Sequence, residues 1–203
     1  MSRISVALLM IIFFSTPGYA AEPDTFRNPC AAISITKPSD WYFMGIDKNY
    51  ENLKNSKMKD EELKKLSLKM ADVPMIVIMK YLEPYDNLNP TLKIDVKPTG
   101  DYKGTNPKKI LSAMTASMGD FFDGFKIIKG PVDAKIDGIN GAYIRFNTIM
   151  KMEGGQSYPS CSEIWVIPRG YHMFMFSANT RQDEKNCKRD EIRKIIDTIK
   201  IDR

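Results

Sequence analysis

His172 is the only histidine in the 203 residues, so any catalytic set built on imidazole must use it. A Ser/His/Asp or Cys/His mechanism needs that ring beside a nucleophile and an orienting acid. His172 instead falls inside the strand-like run Tyr171–Ser177, on the face that alternation shares with Phe174 and Phe176. A packed or partly exposed strand histidine accounts for it. Cys161 is the thiol that such a ring could activate, but a disulfide would consume it. The three cysteines, Cys30, Cys161 and Cys187, include no CxxC pair, so thioredoxin-type exchange has no support. Zinc needs about four clustered ligands, and no spacing offers them. Thioethers with imidazole suit Cu(I), and His172, Met173 and Met175 with Met150 and Met152 form the one set of that kind. Methionine also fills irregular core space, and Met173 and Met175 share one strand face, as core residues do. The expectation is no catalytic, cofactor or metal site.

Binding groups remain. Trp41, Tyr42, Tyr81 and Tyr85 lie in or beside connections, where binding residues gather. The Glu83–Pro90 loop carries two prolines and Tyr85, which stiffens it. Tyr85, Trp41 and Tyr42 are therefore the candidate binding surface; core packing explains Trp41 better, and Tyr85 is the one expected to be exposed. Lys and Arg number 30 against 25 Asp and Glu, a net charge of +5, with acids interleaved throughout. Ordinary solubility explains that surface, with weak contact to anionic surfaces as the alternative. No basic stripe with aromatic platforms is present, so nucleic acid is not an expected partner.

The elements that must position these groups are read from periodicity. Ile33 and Ile35 alternate with small polar residues in a strand over Ala32–Thr36, and Lys37-Pro38-Ser39-Asp40 turns into an extended Trp41–Met44. Pro38 breaks the ladder and places that pair at a sheet edge. Asp47–Met70 reads as a solvated helix with Leu63, Leu66 and Met70 on one side. Met75–Tyr81 is a continuous apolar run, hence a central strand covered on both faces, and Thr91–Lys97 returns beside it. Asn106 caps and Pro107 opens a helix whose face Ile110, Leu111, Met114, Met118, Phe121 and Phe122 leads to Gly124. Strand then succeeds strand from Phe125 to Ala178, punctuated at Asp137-Gly138, Asn140-Gly141, Gly154-Gly155 and Arg169-Gly170. A last helix carries Ile192, Ile195, Ile196 and Ile199. Helices on both sides of a mainly antiparallel sheet bury the doubly apolar strands, which defines an α+β chain built as an α/β/α sandwich.

The start has a different logic. Arg3, the apolar run Ile4–Phe14 and the small residues Gly18 and Ala20 make Met1–Ala20 a cleavable secretory signal. Eleven residues fall short of the about 20 that a spanning helix needs. Cleavage leaves 183 residues and a charge of +4, with a short polar leader at 21–31 and one domain at 32–203. The expected location is the periplasm or the medium, where two of three cysteines pair. Cys161 opens a strand and Cys187 comes just after its returning partner, so Cys161–Cys187 is the preferred bridge. Spacing leaves Cys30 open as a partner.

Ile33-Ser34-Ile35 with Lys37-Pro38 and Trp41 resembles the opening of the PsbP-like fold. Ile136-Asp137-Gly138 leading through Gly141-Ala142-Tyr143, then a long hairpin and an isoleucine-rich helix, resembles its second half. The family is similar to periplasmic proteins of the DcrB type. The resemblance implies the α/β/α sandwich and a non-catalytic, protein-binding or assembly role; it transfers no site residue. The longer Asp47–Met70 stretch departs from it. The sequence thus leads to an exported, non-enzymatic accessory or binding protein of the envelope, with an envelope protein as its partner. A carrier of a small apolar or lipid ligand, motivated by the Met- and Phe-rich helix Pro107–Phe122, comes second. A hydrolase whose carboxylates or histidine set converge in a cleft comes third.

Overall fold

The computed structural model describes residues 24–44, 74–151, 155–183, 185 and 187–202. The signal segment, the helix expected over Asp47–Met70, Met152 and Gly154 lie outside the described residues. The elements are β1 (Thr25–Asn28), β2 (Ile33–Thr36), β3 (Tyr42–Met44), β4 (Pro74–Met79), β5 (Thr91–Pro98), α1 (Pro107–Thr115), α2 (Met118–Phe121), β6 (Lys126–Ile136), β7 (Ile139–Lys151), β8 (Ser157–Arg169), β9 (His172–Arg181), α3 (Arg189–Asp197) and β10 (Lys200–Ile201).

Seven strands form one antiparallel sheet in the order β3-β4-β5-β9-β8-β7-β6, and β1-β2-β10 form a second, smaller one. Alternation assigns the two faces of the large sheet. Ile76, Ile78, Leu92, Ile94, Trp165, Phe174 and Phe176 face a core closed by Ile192, Ile195 and Ile196 of α3 and by Ile33 and Ile35 of β2. Ala142, Ile144, Phe146, Ile164 and Val166 face the other way, onto Ile110 and Leu111 of α1. The sheet is therefore covered by helices on both faces, in the α/β/α order that the doubly apolar strands require.

The local chemistry is as the sequence leads one to expect at several points. Asn106 Oδ1 accepts from the Lys108 backbone N–H at 2.9 Å, with Pro107 in the first helical turn. β8 and β9 meet through the turn at Gly170, pairing Arg169 with His172 and Trp165 with Phe176. Thr198 Oγ1 donates to Thr36 O at 2.9 Å and fastens the end of α3 to β2.

Four expectations change. The helix after Asn106 breaks into α1 and α2 at Ala116 and Ser117, while the buried Thr115 in the last turn of α1 turns its hydroxyl back onto Leu111 O at 2.8 Å. β2 and the Trp41–Met44 piece belong to different sheets, with β3 at the edge of the large one. The leader read over 21–31 contains β1, which pairs with β2 and tucks Phe26 against Phe43, with ring centroids 6.2 Å apart. Gly141 sits inside β7 rather than in a turn. A Cβ there would lie 2.3 Å from Val166 O, so the position needs glycine for close approach between strands.

Candidate functional site

The polar groups of the main-core face collect around the N-terminal end of α3. Tyr143, Arg145 and Asn147 of β7 stand opposite Trp165, Glu163 and Cys161 of β8. Period-2 alternation puts all six on the face that α3 covers. Glu163 is 1% exposed. Its Oε1 accepts from the Tyr143 hydroxyl and from Arg193 Nη2, the latter at 2.5 Å, and Arg193 also donates to the Tyr143 oxygen at 2.9 Å. The Arg193 guanidinium lies over the rings of Tyr143 and Trp165, at 5.3 and 5.8 Å. Burial, and then the bond to Glu163, push the Tyr143 phenol well above its ordinary range. It therefore stays protonated and acts as a donor. Glu163 Oε2 is buried with no partner among the described residues.

Beside this knot is a pocket of about 210 Å³, lined by Arg145, Arg181, Arg189, Cys161 and Cys187 with Ile128 at its lip. Burial, and then Glu163, raise the Cys161 thiol, which leaves it protonated and a poor nucleophile. All three cysteines carry free thiols. The expected Cys161–Cys187 bridge is not formed: Thr180, which faces Cys161 across the strands, donates its hydroxyl to Cys187 Sγ at 3.6 Å.

Arg181 joins this pocket to the Glu83–Pro90 loop. Its Nη1 donates to Asn87 Oδ1 at 2.8 Å, its Nε donates to Asp183 at 2.8 Å, and its guanidinium lies 4.6 Å from the Tyr158 ring centre. Asn89 holds the loop from within, donating to Tyr81 O and Glu83 Oε1, each at 2.8 Å. The Tyr85 ring stacks on Tyr81 at 4.4 Å. Burial and then Tyr81 raise the Tyr85 phenol, against the opposing charges of Arg181 and Lys188 nearby.

The three candidate aromatics do not form one patch. Trp41 is fully buried, donating its indole N–H to Glu191 at 3.0 Å with Lys80 5.5 Å from its ring; it is a core residue and offers nothing to a surface. Tyr42 packs with Met44, Val77 and Met79. Tyr85 is half-buried against Tyr81 rather than fully exposed, and of the three it alone stands with the basic groups. His172 is exposed, eight residues along β8 from Cys161's level, or about 27 Å, so that pair cannot cooperate. It lines a cleft of about 430 Å³ with Cys30 and Arg169, and no carboxylate of the described residues lines that cleft. His172 also faces away from Met173 and Met175, which divides the copper set. The helix-over-sheet position does leave an opening, however. Met118, Phe122, Phe146, Met150 and Ile164 wall a cleft of about 260 Å³ over a floor that includes Ser162 and Ser177.

The sequence carries little signal for the Glu163 knot or the arginine pocket. Charged residues in alternating strands read as a solvent face, and 30 residues separate Glu163 from Arg193. No helix of the described residues is long and apolar enough to cross a membrane.

No family model and no curated protein matches the chain. Among solved structures, LpqN of Mycobacterium tuberculosis, involved in cell envelope biogenesis, is similar over 84% of this chain and 83% of its own, with a TM-score of 0.51 at 17% identity. A cyanobacterial PsbP from Synechocystis sp. PCC 6803 is similar over 94% of this chain and 99% of its own, at 12% identity and a TM-score of 0.47. A protein of Bacteroides thetaiotaomicron is similar over 89% of this chain and 49% of its own, at 16% identity and 0.46. The α+β fold with a mainly antiparallel sheet is thus shared with LpqN, and a PsbP stands among the structures this chain resembles.

Proposed function

We propose that this chain is an extracytoplasmic accessory protein that binds a partner protein and catalyses no reaction. The surface it uses is the end of the sandwich where Tyr85, Lys188 and the arginine pocket meet. The observation that carries the reading is the bracing of the Glu83–Pro90 loop by Arg181, which links an ordered tyrosine stack to a basic pocket in one continuous surface. Preorganised aromatic and arginine groups lose little entropy on binding, and such residues dominate interface energetics. The export signature at Met1–Ala20 and the envelope role of the similarly folded LpqN agree with an envelope setting. The raised Cys161 thiol and its distance from His172 support binding over catalysis.

The test is capture from envelope extract with the mature protein and its Tyr85→Ser variant, both checked for unchanged melting. One partner held by the mature protein and lost with Tyr85→Ser supports the reading. Equal capture by both, or none above background, contradicts it. A second reading, a carrier of a small apolar ligand, is favoured by the cleft between α2 and the sheet. Displacement of a fluorescent fatty acid, abolished in a Met118→Trp variant that fills the cleft, would support it; no fluorescence change on adding the probe would count against it.

A further inference from the structure

We propose that the pocket between β7, β8 and the first turn of α3 is a carboxylate receptor, with Arg145 and Arg189 as its two ligand-binding guanidinium groups. The inference rests on the partner-binding reading above and names the chemical group the partner presents. Arg145 and Arg189 both line the pocket, and neither has a hydrogen bond or ion pair among the described residues. Arg189 Nε is buried with no partner among those residues. Arg181, the third arginine there, is by contrast occupied by Asn87 and Asp183, and the Asn147 amide is spent on Gln182 at 3.1 Å. Two like charges converging with no ion pair of their own among the described residues, one with a dehydrated donor, are unfavourable until an anion joins them. Guanidinium forks match planar oxygen pairs bidentately.

The surroundings choose among anions. Glu163 stands directly across from Arg145. Its buried carboxylate weakens the positive field that a dianion would need, which favours carboxylate over phosphate. A volume of about 210 Å³ admits a carboxylate with one short residue and excludes a nucleotide. Ile128 at the lip, 39% exposed, gives the attached chain an apolar contact. A chain-terminal carboxylate and an acidic side chain share this chemistry.

Titration calorimetry on the mature protein separates them, using N-acetyl-tetraalanine with a free terminus, the same peptide amidated, an amidated peptide carrying one Glu, and inorganic phosphate. Binding of the free-terminus peptide, the Glu peptide or both is expected, with none for the amidated tetraalanine. Arg145→Gln or Arg189→Gln should weaken that binding roughly tenfold to a hundredfold, the weight of one charge-assisted hydrogen bond, without changing the melting temperature. No heat from either carboxylate peptide, tighter binding of phosphate, or unchanged affinity in both arginine variants overturns the proposal. If Tyr85→Ser loses the captured partner while the Arg145→Gln/Arg189→Gln double variant keeps it, the partner-binding reading stands and the carboxylate receptor falls.

Discussion

The two faces of the large sheet are covered in different ways. On one, Trp41, Ile78, Ile94, Phe174, Phe176 and Ile192 are each at most 1% exposed, sealed under α3 and the small sheet. On the other, α1 seals Leu111, Ile144 and Val166, but beyond the break after Thr115 the chain leaves a cleft and 51% of Phe121 exposed. Both helices present apolar faces of similar spacing in the sequence. Helical periodicity says which side turns inward and not how tightly it closes, because closure depends on where a helix ends and how the next segment packs. The sealed face also carries the polar groups of interest: where its isoleucines stop, Glu163, Arg193 and the arginine pocket begin.

The largest effect should come from truncation on the sealed face. Trp41→Ala removes the biggest fully buried side chain together with the bond to Glu191, at a cost of about 3–5 kcal/mol. Phe122→Ala at the open cleft should cost about 1 kcal/mol, the scale of a half-buried apolar side chain. Denaturant melts of the two variants measure the contrast, and equal losses would erase the distinction between the faces.

Next in size is the polar knot. Arg193→Met leaves the buried Glu163 carboxylate with Tyr143 as its one hydrogen-bond partner among the described residues, and should destabilise by about 2–3 kcal/mol, since Arg193 itself is 43% exposed. The double variant Arg193→Met/Glu163→Gln should recover most of that loss. No recovery would mean that Arg193 acts through packing on Tyr143 and Trp165 instead.

Smaller than the polar knot is the titration of Glu191. Burial would raise its carboxyl, but hydrogen bonds from Lys80, Trp41 and Lys188 outweigh burial and hold it down to about 2, against an ordinary 4.5. A depressed carboxylate stabilises the fold above its unfolded value, and that contribution fades as pH falls from 4.5 toward 2. Glu191 is about one-third exposed, so screening reduces the contribution to about 1–2 kcal/mol. Stability measured across that window should fall less in Glu191→Gln than in the parent.

The sequence was legible where local chemistry decides. The Asn106-Pro107 start, the Gly170 turn and the opposite facing of Met173 and Phe174 depend on neighbours within a few residues. β1 was not legible, since only Phe26 of its four residues packs inward and its pairing depends on β2, itself held by β10. Gly141 looked like turn punctuation because the strand that crowds it, carrying Val166, is remote in sequence. The site was the least legible part. Arg145, Cys161 and Arg189 meet only because strand register and helix docking bring three distant segments together. Of the aromatics read from the sequence, Trp41 is buried in the core, and Tyr85 stacks on Tyr81 near Arg181 and Lys188.

On the proposed function, the molecule engages its partner at the Tyr85 and arginine end and not at the cleft under α2. Photo-crosslinking tests it most directly, with benzoylphenylalanine placed at Tyr85 in one variant and at Phe121, the exposed aromatic beside the cleft, in another. The expected result is a discrete protein adduct from position 85 in envelope preparations, lost on adding Arg189→Gln, and none from position 121. An adduct from position 121 alone, or from neither position, would contradict it.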